Sequence, residues 1–120
     1  MSHHKTITYD RGLQAERLAS LWLRIKGYKI LAQRYKTPVG EIDLIISKKN
    51  TIAFVEVKVR QTHRQALESL TPKMRRRIEK AALSYCAHNN IDGRDLRFDL
   101  ITVQQPFFIH HLDNAWSEGT

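Results

Sequence analysis

A chain of 120 residues is long enough for one domain with its own core and too short for several. Its 42% apolar and 27% charged residues argue against disorder throughout, and a single cysteine, Cys86, excludes an internal disulfide. Twenty Lys and Arg against twelve Asp and Glu leave a formal charge of +8, which suits a polyanionic partner because each neutralised phosphate releases counterions.

No apolar run approaches the roughly 20 residues that a bilayer crossing requires. The opening residues MSHHKTITYDRG lack the apolar stretch of a signal peptide, so a cytoplasmic protein with no membrane partner is expected. Residues 1–10 read as a flexible N-terminus that includes His3 and His4, residues 11–116 as one domain, and residues 117–120 as a tail.

Residues 11–26 predict a helix, with Ala15, Leu18, Ala19, Trp22 and Ile25 at helical spacing, Asp10 as its N-cap and Gly27 as its stop. Strand patterns follow over Tyr28–Tyr35, Glu41–Ser47 and Thr51–Val59, separated by the turn signals Thr37-Pro38-Val39-Gly40 and Lys48-Lys49-Asn50. In the second strand Ile42, Leu44 and Ile46 share one face, and Glu41, Asp43 and Ile45 the other. In the third, Ala53, Val55, Val57 and Val59 oppose Phe54, Glu56, Lys58 and Arg60.

Polar, weakly periodic residues 61–70 read as a loop. Thr71-Pro72 marks an N-cap and first turn, opening a helix to about His88 that buries Met74, Ile78, Ala81, Ala82 and Tyr85. Leu96–Val103 and Phe107–Leu112 complete the pattern as two strands around Gln105-Pro106. This order of elements predicts a mixed sheet flanked by helices.

Glu56 and Lys58 lie two apart on one strand, so they point the same way. The hairpin register can set Asp43 beside Glu56. Facing carboxylates repel, by roughly 4 kcal/mol at about 4 Å in a surface-like dielectric. A hard divalent cation, Mg²⁺ or Mn²⁺, would remove that repulsion, with Lys58 beside the attacking water or the scissile phosphate. On this argument Asp43→Ala should leave the metal-free chain at least as stable. A cross-strand salt-bridge cluster on a solvated face remains the alternative. Glu16, on the first helix between Gly12 and Ala19, offers a further ligand, or else an exposed partner for an arginine.

Gly40-Glu41-Ile42-Asp43, Phe54-Val55-Glu56-Val57-Lys58-Val59-Arg60 and Arg97-Phe98-Asp99, with Gly12-x-x-Ala15-Glu16 and Asn114-Ala115, resemble the YraN family of bacterial proteins from Arg11 to Trp116. Many of its members carry proline where Ile42 stands here. The resemblance implies a restriction-endonuclease-like αβββαβ core of the D…(D/E)-x-K superfamily, similar to archaeal Holliday-junction resolvases. It implies Asp43 and Glu56 as metal ligands, Lys58 as catalytic lysine, Glu16 as the helix-borne acid, and hydrolysis of DNA phosphodiesters. Branched DNA is the substrate class by analogy, and a homodimer would suit it.

Lys73, Arg76, Arg77 and Lys80 form a basic stripe with Arg75 beside it. Together with Arg60 they are the candidate nucleic-acid contacts; a solvated helix face is the alternative. Asp99 reads as structural, accepting hydrogen bonds near the site. Adjacent His110 and His111 point to opposite faces and read as edge-strand polar residues, and Cys86 as a packed thiol. Two non-catalytic readings stay open. One is a nucleic-acid-binding or assembly module on the same fold, and the other is a scaffold for a protein partner.

Overall fold

The computed structural model describes residues 2–104 and 108–119, with side chains from Gly12 onward. Helix α1 spans Ser2–Ile25, followed by strands β1 (Lys29–Thr37), β2 (Gly40–Lys48) and β3 (Thr51–Val59). Helices α2 (His63–Ser69) and α3 (Pro72–His88) lead to β4 (Asp95–Gln104) and β5 (Phe108–Trp116). The five strands form one sheet in chain order, parallel between β3 and β4 and antiparallel elsewhere. This is the mixed α/β architecture of a restriction-endonuclease-like core. Residues 105–107, which include the Gln105-Pro106 turn and Phe107, lie outside the described residues.

Each helix covers a face for a reason visible in its side chains. Ala15, Ala19 and Leu23 of α1 recur at four-residue spacing and pack on Leu44, Ile46, Ala53, Val55, Ile101 and Val103. Ile78, Ala81, Ala82 and Tyr85 of α3 pack on Ile42, Ile45, Ile52, Phe54, Phe98 and Leu100 across the other face. Both faces of the central strand β3 are therefore covered, and Ile52 through Glu56 are buried without a break.

Gly27 ends α1 in the left-handed region at φ +95°, with Tyr28 N–H bonded to the Leu23 carbonyl and Gly27 N–H to that of Arg24. At its other end α1 runs back through Asp10, which therefore does not cap it. Residues 2–9 contain neither Pro nor Gly, so nothing there forces the helix to begin at Asp10. Thr71 caps α3, its hydroxyl accepting the Met74 N–H, with Pro72 in the first helical position.

The expected loop at 61–70 contains helix α2. Thr62 and Gln65 form a reciprocal capping box: the Thr62 hydroxyl accepts the Gln65 backbone N–H, and the Gln65 side-chain Oε1 accepts the Thr62 N–H. Ala66 alone of this helix is buried, which is why its apolar periodicity is weak.

Ile42 differs from the expected alternation. It joins Ile45 against α3, whereas Leu44 and Ile46 face α1. The regular β2–β3 ladder stops at Leu44–Val55, and beyond it the Asp43 carboxylate accepts the Val57 N–H at 2.7 Å. A side chain has replaced a main-chain acceptor, and the period of two slips there by one residue. The same slip occurs on β1, where Ala32 and Tyr35 pack on the α3-face cluster and Arg34 between them has φ +52°.

Candidate active site

Glu56 is 8% exposed, on the α3 face of β3 between buried Phe54 and half-buried Lys58. Its carboxyl shares a hydrogen bond with Asp43, and Lys58 Nζ stands 3.2 Å from Glu56 Oε2. Burial first, and then the neighbouring Asp43, push Glu56 up to about 8, while Lys58 pulls it back. At neutral pH Glu56 therefore keeps its proton, whose place one positive ion could take.

An open cavity of about 470 Å³ begins at these acids. Glu41, Asp43 and Glu56 form one side, while Thr71, Lys73, Met74, Arg77 and Ile78 at the start of α3 form the other. Gly40 sets the distance between the two sides. A Cβ there would lie 2.5 Å from the Arg77 carbonyl oxygen, so only glycine lets β2 and α3 approach this closely. The Thr37 hydroxyl holds the preceding turn, accepting the Val39 and Gly40 N–H groups and donating to the Gly40 carbonyl.

Glu16 reaches the same region from α1. Burial, Asp43 and Glu41 raise its carboxyl, and Arg34 Nε, 3.8 Å away, opposes them. Glu16 is thus both a neighbour of the acid pair and the partner of an arginine. Among the described residues, no group of three or more His, Cys, Asp or Glu side chains is gathered as a metal-binding set. Asp43 and Glu56 are the carboxylates that fit a hard cation, leaving water, backbone or substrate oxygens to complete its shell.

The basic stripe divides. Exposed Lys73 and Arg77, four apart, line the cavity. Arg76 does not join them. It pairs at 3.3 Å with buried Glu79, which also accepts the Trp116 Nε1–H and the Gly119 N–H. One residue is about 100° of helix, enough to separate Arg76 from Arg77. Lys80 is exposed and lies off the cavity lining. Arg60 donates through Nη1 to the Val59 carbonyl.

Asp99 is fully buried but belongs to the opposite face, with the parity of Ile101 and Val103. It accepts two bonds from Arg97, one from His111 Nε2 and one from the Asn114 N–H. Burial alone would raise Asp99, yet these donors hold it below the ordinary value. The structural role expected of it stands; its nearness to the site does not, because alternation on β4 carries it to the α1 side. His110 and His111 do face opposite ways: His110 stacks on His63 at 3.8 Å, while the His111 side chain is 3% exposed. His111 lies on the edge strand β5, as expected, but its side chain is a buried partner of Asp99. His111 pairs with Ile101, which shares its face with Asp99, and the β5 irregularity at Asn114, φ +53°, adds the Asn114 N–H bond to the same carboxylate. Cys86 is a half-buried free thiol.

Residues 15–103 match the family described as "Uncharacterised protein family UPF0102". The chain belongs to this family. It is 43% identical to a UPF0102 protein of Parvibaculum lavamentivorans, over 90% of this chain and 82% of that one. A UPF0102 protein of Paramagnetospirillum magneticum is 45% identical over 88% and 86% of the two chains. One from Bradyrhizobium diazoefficiens is 38% identical over 99% and 90%. The matched span in this UPF0102 chain includes Glu16, Asp43, Glu56, Lys58 and the basic start of α3. No helix among the described residues is long and apolar enough to cross a membrane.

Proposed function

We propose that this UPF0102 protein is a divalent-metal-dependent endonuclease that hydrolyses DNA phosphodiesters, with branched DNA as its substrate class. The observation that carries the reading is a buried Glu56 pushed up to about 8 against Asp43, with Lys58 Nζ at 3.2 Å. A structural salt bridge would not need the second carboxylate. Asp43 and Glu56 would hold Mg²⁺ or Mn²⁺ in place of the Glu56 proton, and such an ion supplies charge neutralisation at the phosphate and a more acidic water.

The chain's own groups supply the rest. Lys58, an ammonium at the edge of the acid pair, donates to the attacking water or to a nonbridging oxygen and offsets charge developing there. Lys73 and Arg77, across the cavity, bind flanking phosphates and hold the backbone over the acids. Their contacts do not depend on base identity, in keeping with recognition of DNA shape.

The experiment is cleavage of labelled four-way junction, flap, single-stranded and linear duplex DNA with Mg²⁺ or Mn²⁺. Wild type is compared with Glu56→Gln and Lys58→Gln. Metal-dependent cutting lost in both variants supports the enzyme. The second reading, a non-catalytic nucleic-acid-binding module, is favoured by the want of a third converging ligand among the described residues. Salt-sensitive binding without cutting by any preparation would select it.

A further inference from the structure

Arg34 sits on the edge strand β1 between Gln33 and Tyr35, which pair with Leu44 and Ile42 of β2; it therefore stands opposite Asp43. Its φ of +52° is a left-handed backbone inside a strand, a conformation that Gly and Asn accept and a long side chain rarely adopts. Strain of this kind persists where the surroundings impose it, and it concentrates at functional sites. Here it coincides with the slip in alternation that aims Asp43 at Val57.

The slip carries the guanidinium to Glu16, at 3.8 Å and with the Arg34 side chain 36% exposed. That separation is beyond hydrogen-bond length, and so open a pair contributes little to stability. The surroundings are acidic: Asp43 and Glu41 both act on Glu16 across this corner, and Arg34 is the cation that opposes them there. A planar guanidinium is also the side chain best matched to two phosphate oxygens.

We propose that Arg34 is a phosphate-binding residue of the site, its guanidinium exchanging Glu16 for nonbridging oxygens of the DNA backbone. This rests on the nuclease reading above and extends it to a phosphate on the β1 side of the acids, across from Lys73 and Arg77. Nucleic acid would then be held from both sides of the acid pair, and the strained backbone is what keeps the arm directed there.

The test is binding of a labelled four-way junction to the cleavage-silent Glu56→Gln protein and to the same protein carrying Arg34→Asn or Arg34→Lys, over a range of salt. Asparagine accepts the left-handed backbone, so the fold is retained and the melting temperature should stay within a few degrees of the parent's. Affinity should fall about tenfold, and the slope of log K against log salt should flatten by about 0.9, one phosphate contact. Lysine should restore the slope. If the parent binds DNA and Arg34→Asn binds equally well with the same slope, the role of Arg34 is overturned while the functional reading stands. A marked fall in melting temperature without the slope change makes the Glu16 pair structural and also overturns it. If the parent shows no salt-sensitive DNA binding, the functional reading fails and this proposal falls with it.

Discussion

Asp43 Oδ2 accepts the backbone N–H of Val57 at 2.7 Å, so one carboxylate both continues the sheet and faces Glu56. This double engagement decides which substitutions are informative. Asp43→Ala removes the acceptor along with the charge, at a cost of about 1 kcal/mol or more for an unmet N–H. The gain expected from relieving repulsion is offset, and alanine ceases to discriminate. Asp43→Asn keeps an acceptor oxygen for Val57. It should melt within a few degrees of wild type without metal and show no rise on adding Mg²⁺ or Mn²⁺.

Stability without metal should depend on pH through Glu56. Its folded value of about 8 lies above the ordinary 4.5, so the folded chain holds this proton more tightly than the unfolded chain does. The contribution is complete below about 4.5 and is lost as pH rises through about 8, up to roughly 5 kcal/mol. Denaturant titrations in EDTA from pH 5 to 9 should show stability falling with pH. Glu56→Gln, which keeps a donor toward Asp43, should remove most of the slope; an unchanged slope would refute the assignment to Glu56.

Divalent cations should act in the same window. At pH 8, millimolar Mg²⁺ or Mn²⁺ should raise the melting temperature of wild type, since a ligand of the folded state stabilises it by mass action. Little change is expected at pH 5, where the Glu56 proton competes. A rise of equal size in Glu56→Gln would place the ion elsewhere.

The divided basic stripe yields opposite expectations for neighbouring arginines. Replacing Lys73 and Arg77 together by Gln should weaken DNA binding and flatten its salt dependence by about 1.8, for two phosphates. Arg76→Gln should leave that slope alone and lower stability, because Arg76 pairs with the buried carboxylate of Glu79. Salt-titrated binding beside thermal melts separates the two effects.

Asp99→Ala should be the most damaging of these changes, by about 3–5 kcal/mol, because it strands the half-buried guanidinium of Arg97 and the buried imidazole of His111. Any loss of DNA binding should follow the folded fraction measured by circular dichroism. A fully folded variant that fails to bind would contradict the structural role.

What could be read in the sequence was governed by how far each signal extends along the chain. The β-strand runs, the Thr71-Pro72 start of α3 and the Gly27 stop are local and strong, and they place Glu56, Lys58 and the basic helix. The Thr62-x-x-Gln65 capping box was equally local and would have identified α2, but a single buried residue gave it no periodicity to support it. The matched irregularity at Arg34 and Asp43 is different in kind. It is a main-chain distortion shared by two strands, and no side-chain pattern on either strand announces it. The Asn114 N–H bond to Asp99 likewise depends on an irregularity in β5, whose position follows from pairing rather than from composition.

Gly40 meets the Arg77 carbonyl with no side chain between the two main chains. Where side chains meet, a protein can tune a gap by trading methyl groups; where two main chains meet, there is nothing left to trim. The spacing between the acids on β2 and the cations on α3 is therefore pinned at its lower limit, and sequence change at this point can only widen it. Gly40→Ala would act as a spacer, pushing Lys73 and Arg77 away from Asp43 and Glu56 without altering any of the four.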